Sequence, residues 1–286
     1  MYIVELRKRL PVLLTIDAGN TNVVVGIFVG DKIKASWRIR TERRRMADEW
    51  GITLLALLHH EGIEPDDIKA AVISSVVPPL TFELRQTVER YFKRPPLVVE
   101  PGIKTGIPIR YENPREVGAD RIVNAVAAFH YYGGPAIIID FGTATTFDAL
   151  SYNGEYLGGA IAPGVGIAAE ALFSLASRLF RVELQPPTRA IGRNTASSMQ
   201  SGIMFGYMGL VEGLVRRFNE ELLEVTPLTA KLIELPPPTG GQRVQVIATG
   251  GLAEIIANDN RHIIDIVDQD LTLQGLRLIH EMNSNE

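Results

Sequence analysis

The run from Leu13 to Phe28 reads as an apolar strand, a tight polar turn that opens on Asp17, and a second apolar strand. The turn Asp17-Ala18-Gly19-Asn20-Thr21-Asn22 offers one carboxylate, short hydrogen-bonding side chains and a glycine. Backbone amides can therefore close on an anion while the acid faces a metal ion. The arrangement returns at Ile137 to Leu150, where Ile137-Ile138-Ile139 runs into Asp140-Phe141-Gly142-Thr143 and a further strand. A chain carrying this block twice is constrained to two sheet-based halves, each presenting an acid at a strand end. Its 286 residues, 46% of them hydrophobic, suffice for two ordinary cores. Gly133-Gly134-Pro135 is the expected boundary, giving an N-terminal domain over 1–133 and a C-terminal domain over 134–286.

Between these landmarks the pattern predicts helices over Met46 to His60, Pro78 to Phe92 and Val117 to Gly133, with short buried strands at Ala70 to Val76 and Leu97 to Val99. The proline-rich stretch from Pro95 to Pro114 reads as mostly irregular, the kind of loop that lines a site. The second half adds a strand at Tyr156 to Ile161, a helix over Gly166 to Phe180, a long helix capped near Asn194-Thr195 and running to Glu224, and an exposed excursion from Thr226 to Gln242. A buried strand, Val244 to Ala248, then enters Thr249-Gly250-Gly251 and a helix, a third candidate for anion binding, and Thr272 to Met282 closes the chain as a helix.

Charge and composition remove several function classes. A net charge of −4 supplies no general attraction for nucleic acid or an acidic membrane, and Arg43-Arg44-Arg45 reads as a solvated loop. Having no cysteine excludes disulfides and thiolate chemistry and fits a reducing compartment, so a cytoplasmic location is expected. Arg7-Lys8-Arg9 before Leu10 to Ile16 imitates a signal peptide, but Pro11 and Asp17 favour a first strand; Asn124, His130 and Gly133-Gly134-Pro135 interrupt the longest uncharged segment, so no membrane span is expected. Pro163-Gly164-Val165-Gly166-Ile167-Ala168-Ala169 satisfies a glycine-rich dinucleotide pattern with Glu183 near the ribose position, yet it follows an antiparallel meander rather than opening a βαβ unit. An NAD(P) oxidoreductase is disfavoured accordingly, and the chain has no G-x-x-x-x-G-K-[ST] loop.

Two acid-bearing hairpins and a late strand, Gly-Gly and helix resemble the actin, hexokinase and Hsp70 superfamily, which implies an α/β fold of two ribonuclease-H-like (actin-like ATPase) domains, each a mixed sheet flanked by helices. Within it, Asp17-Ala18-Gly19-Asn20-Thr21, Tyr111 to Arg121, Asp140-Phe141-Gly142-Thr143 and Ile191-Gly192-Arg193-Asn194-Thr195 stand in the order of type III pantothenate kinases, which the chain resembles from about residue 12 to 280. The resemblance implies ATP-dependent phosphorylation of the primary hydroxyl of pantothenate, the first step of coenzyme A synthesis. It also implies Mg²⁺, a monovalent cation (K⁺ or NH₄⁺), and a homodimer with each site near the subunit contact. By the same resemblance Asp17, Ala18, Gly19, Asn20, Thr21, Asn22, Val23 and Val24 form the first ATP phosphate segment, Thr143 is a second ATP contact, and Asp140 is the monovalent-cation ligand. Tyr111, Gly118, Ala119, Asp120, Arg121 and Thr195 are implied pantothenate contacts, with Asp120 the general base.

Each role has a plainer competitor. An Asp in a helix's first turn serves the cap or the helix dipole, Arg121 suits a surface salt bridge, and Tyr111 suits simple packing. Asp17 can hold Mg²⁺ through water or form an Asx turn, Asp140 can bond turn amides, and either Asn194 or Thr195 can cap the long helix. The rival functions are a sister kinase acting on a sugar or another small alcohol, and a non-catalytic nucleotide-binding regulator, which would have no use for the Asp120-Arg121 pair.

Overall fold

The computed structural model describes residues 11–176, 179–232, 243–259 and 261–284. Alternating apolar residues build two five-stranded sheets with one plan. In the first, β1 (Val12–Ala18), β2 (Asn22–Val29) and β3 (Lys32–Arg40) form an antiparallel meander, and β4 (Ile68–Ser75) and β5 (Leu97–Val98) add in parallel beside β1, in the order β3-β2-β1-β4-β5. In the second, β6 (Ala136–Phe141), β7 (Ala144–Leu150) and β8 (Tyr156–Pro163) repeat the meander, with β9 (Gln245–Thr249) and β10 (Ile266–Val267) parallel beside β6, in the order β10-β9-β6-β7-β8. The duplication expected from the two hairpins thus extends to the whole strand order. β3 and β10 escape the sequence pattern: β3 alternates exposed and half-buried residues as an edge strand does, and β10 has two residues.

The helices are α1 (Ala47–His60), α2 (Pro78–Phe92), α3 (Ala119–Tyr132), α4 (Val165–Leu175), α5 (Thr195–Leu232), α6 (Ala253–Asp259) and α7 (Leu271–Ser284). Pro78 and Pro79 open α2, where a missing N–H costs nothing, and Lys93 ends it in the left-handed region. α4 stops short of the expected Phe180, and α5 runs past Thr226, where the excursion was expected to begin. Most of that excursion, 233–242, lies outside the described residues. No helix among the described residues is long and apolar enough to cross a membrane.

Two compact units result. Among the described residues, unit 1 takes 11–106, 118–123 and 272–284, and unit 2 takes those of 107–117 and 124–271. These units do not meet at one point near Gly133: α3 passes from the first unit to the second at Asn124, and from Thr272 α7 returns to the first unit. In unit 1, Val12, Leu14, Ile16 and Ala18 join Trp50, Leu54, Leu84 and Phe92 of α1 and α2 in one core. Because neighbouring strand residues face opposite ways, Leu13, Thr15 and Asp17 point to the other side of the sheet. α7 covers that side, where a Cβ on Gly26 would lie 2.9 Å from Leu273 and one on Gly275 2.1 Å from the Val123 carbonyl. In unit 2, Ile137, Ile139 and Phe141 pack with Met204, Val211 and Val215 of α5, which turns Ile138 and Asp140 to the opposite face.

Candidate active site

In unit 1 the first hairpin is held from two directions. Gly19 N donates to Asn22 O at 2.9 Å within the turn, and Thr41, just after β3, donates its Oγ1 to Gly19 O at 2.7 Å. Arg43 Nη2 donates to Asn20 Oδ1 at 3.0 Å, and Arg45 stacks its guanidinium 4.5 Å from the Trp50 ring centre. The arginines read as a solvated loop therefore include one, Arg43, that braces the hairpin, and another, Arg45, that packs on α1; the first role has no signature in sequence because β3 carries Arg43 back to the turn. A Cβ on Gly19 would come within 3.1 Å of Asn22 O, so glycine lets the turn close.

Residues 118–123 belong to the same unit as this hairpin. Val76 N donates to Ala18 O at 3.1 Å, and a Cβ on Gly118 would lie 3.8 Å from Val76 Cγ1, which links the start of α3 to the end of β1 through one valine. Asp120 Oδ1 accepts the Arg121 amide at 2.8 Å and crowds Gly118, where a Cβ would lie 2.5 Å away. Asp120 keeps some surface, but its carboxyl group is packed about by protein atoms. Burial pushes its pKa above the usual aspartate value, against the opposing pull of the Arg121 amide and guanidinium. Such a carboxylate is a stronger proton acceptor than a solvated one. Arg121 is buried, only 6% exposed, which disfavours the surface salt bridge as its role.

In unit 2 the second hairpin repeats the turn: Gly142 N donates to Ala144 O at 3.1 Å, and Gly164 N, at the start of α4, donates to Thr143 O at 3.1 Å. A Cβ on Gly164 would lie 2.3 Å from Thr143 O, so this glycine is spent on letting α4 meet the hairpin. β8 runs antiparallel to β7 before α4, so the glycine-rich pattern here is not the opening of a βαβ unit. Asp140 accepts from Asn124 Nδ2 at 3.2 Å, and a Cβ on Gly250 would lie 2.4 Å from its Oδ1. The Thr249-Gly250-Gly251 turn, expected to cradle an anion, thus packs directly on the acid, and α6 behind it has only seven residues.

Tyr111 sits on a segment that is not irregular throughout. Ile109 bridges Tyr156, Arg110 N donates to Tyr156 O and Tyr156 N to Pro108 O, both at 2.8 Å, so the segment lengthens the second sheet beside β8. The Tyr111 ring lies 3.4 Å from the place of a Cβ on Gly158, whose φ of +118° already favours glycine. At the head of α5, Asn194 Oδ1 accepts the Ser197 amide at 2.8 Å and is the cap. Thr195, exposed, lines a cleft of about 770 Å³ with Ala168, Leu172, Met199 and Tyr207. Asp17, Asp120 and Arg121 thus fall in one unit, and Thr143, Asp140, Tyr111 and Thr195 in the other.

The donor sets suit hard cations. Asp17 is half-buried at a strand end, and the turn beside it offers Asn20 and Thr21 oxygens, chemistry that fits Mg²⁺ sharing one carboxylate with phosphate oxygens. Asp140, bonded by an amide and pressed by a turn, likewise offers oxygen alone.

Two mixed sheets of one strand order, each opening on an acid-bearing hairpin and flanked by helices, define an α/β protein of two duplicated sheet units. The sequence narrows that class. A family model for type III pantothenate kinase matches residues 13–217, and the type III pantothenate kinase of Moorella thermoacetica is 52% identical over 272 residues, 95% of this chain and 100% of its own length. The chain belongs to the type III pantothenate kinase family. Among solved structures, a reductive activator for corrinoid, iron-sulfur protein superposes with a TM-score of 0.49 at 14% identity, covering 96% of this chain and 61% of its own. An inorganic polyphosphate/ATP-glucomannokinase from Arthrobacter sp. strain KM gives 0.45 at 14% identity, covering 96% and 99%.

Proposed function

We propose that the chain phosphorylates the primary hydroxyl of pantothenate with ATP, opening coenzyme A synthesis. Family membership supports the reaction, and the observation that most supports the chemistry is Asp120, whose carboxyl group is packed about by protein atoms and has its pKa raised by that packing, beside the buried Arg121. Phosphoryl transfer needs alignment, charge neutralisation and one proton acceptor. In this reading the substrate hydroxyl oxygen bonds to the γ-phosphorus, the bond from that phosphorus to the bridging oxygen breaks, ADP leaves, and the hydroxyl proton passes to Asp120. Arg121 takes the pantothenate carboxylate by two parallel hydrogen bonds, and Tyr111, Gly118, Ala119 and Thr195 are, by the family's pattern, its further pantothenate contacts. The segment Asp17 to Val24, and separately Thr143, are by the family's pattern the ATP contacts; Mg²⁺ held through Asp17 would supply positive charge against the phosphate oxygens.

Asp140 serves a monovalent cation, potassium or ammonium, and the working unit is a homodimer. The exposed apolar side chains Ile161, Leu175, Phe180 and Ile191 of unit 2 support burial against a second copy. We place the enzyme in the cytoplasm, the compartment that its lack of cysteine fits. ADP release on adding pantothenate, compared with glucose and N-acetylglucosamine in potassium and in sodium buffers, tests the reading. Turnover on pantothenate that potassium enhances is expected; turnover on sugars alone refutes the substrate, and ATP binding without turnover refutes the enzyme.

A further inference from the structure

Asn124 has no part in the roles described so far, yet it is 1% exposed and donates its side-chain amide to Asp140. A carboxylate can only accept, so the asparagine must present its Nδ2 and commit one of its donors to this bond. The other Asp140 oxygen lies against Gly250, whose φ of +93° and lack of room for a Cβ keep that turn in place. Two fixed points, from elements far apart in sequence, hold a carboxylate that a strand end alone would leave free to rotate. Asn124 also stands one turn after Asp120 on α3.

We propose that Asn124 is a positioning residue for the monovalent cation: it sets the Asp140 carboxylate so that a cation finds its ligand already oriented. This rests on the reading of Asp140 as the cation's ligand. The physical reason is that a ligand whose rotamer is fixed by a neighbouring hydrogen bond spends no ordering entropy on binding, and loss of such a partner typically weakens metal binding about 10- to 100-fold.

The test uses the full chain with Asn124→Ala, Asn124→Leu, which keeps the buried volume but donates nothing, and Asp140→Asn. Two quantities are read: the KCl concentration giving half-maximal activation, and the rise in unfolding temperature that KCl causes over choline chloride at equal ionic strength without ATP. In the Asn124 variants we expect the half-activating concentration to rise about tenfold or more and the KCl-specific thermal shift to shrink, with the KM for pantothenate little changed. In Asp140→Asn the KCl-specific shift should vanish. If folded Asn124→Leu responds to KCl as the parent does while Asp140→Asn does not, the positioning role is overturned and the cation reading stands. If Asp140→Asn also responds as the parent, or the parent shows no KCl-specific response, the cation reading falls and the proposal with it.

Discussion

Replacing Asp120 by asparagine separates the chemical role of this residue from its structural one. The two side chains have the same shape, and the asparagine oxygen can still accept the Arg121 amide that Asp120 holds at 2.8 Å, so the first turn of α3 keeps its hydrogen bond. What disappears is the negative charge and the ability to take a proton. General-base groups contribute about 10² to 10⁴ in rate, so turnover should fall at least about a hundredfold, or about 2.7 kcal/mol of transition-state stabilisation, while ATP binding is largely retained. Stability should move the other way. Burial raises the folded-state pKa of Asp120 above its unfolded value, so whatever stability the group contributes is fully present below the unfolded pKa and is lost as pH rises through the folded one. At neutral pH the ionised carboxylate is a net cost to the fold, and asparagine removes it. The variant should therefore melt higher than the parent at pH 7, and the gap should close as the pH falls into the carboxylate range. Steady-state ADP release and thermal unfolding across pH read both effects. Near-normal turnover would remove Asp120 as the base, and a variant that melts lower at pH 7 would refute the cost assigned to its burial.

Three further outcomes follow from the same geometry. The acid limb of kcat/KM for pantothenate should lie above the ordinary aspartate range, because the base must be ionised to act and its pKa is raised; a limb near the solvated value would remove Asp120 as its source. Gly250→Ala forces a Cβ within 2.4 Å of Asp140 Oδ1 at a φ of +93°, and should cost about 2 kcal/mol or more, measured by denaturant unfolding. Thr41→Val deletes the 2.7 Å bond to Gly19 O and should weaken ATP binding about threefold to tenfold by calorimetry, whereas an unchanged affinity would show that the hairpin holds its shape without that brace.

The strand, acidic turn and strand that bring Asp17 and Asp140 to their positions were legible because hairpins are local: alternation sets which side chains face the core, and the turn residues set where the chain reverses. The helical pattern likewise marked α3 closely enough to put Asp120 and Arg121 in its first turn. The edge strand β3 was missed because half-buried alternation with charges looks like loop, and the segment around Tyr111 was missed because its prolines conceal a short pairing with β8.

By itself, then, the sequence determined the repeated hairpins, the order of the helices and the chemical kind of each candidate group, all properties set by neighbours within a few residues. Only the tertiary structure decided that 118–123 and α7 join the first unit while 107–117 joins the second, that Thr41 and Arg43 brace the first turn, and that Asn124 and Gly250 pin Asp140. Those outcomes depend on which faces bury against one another across long stretches of chain. A residue's own pattern says that it must be buried or bonded, but not what will meet it.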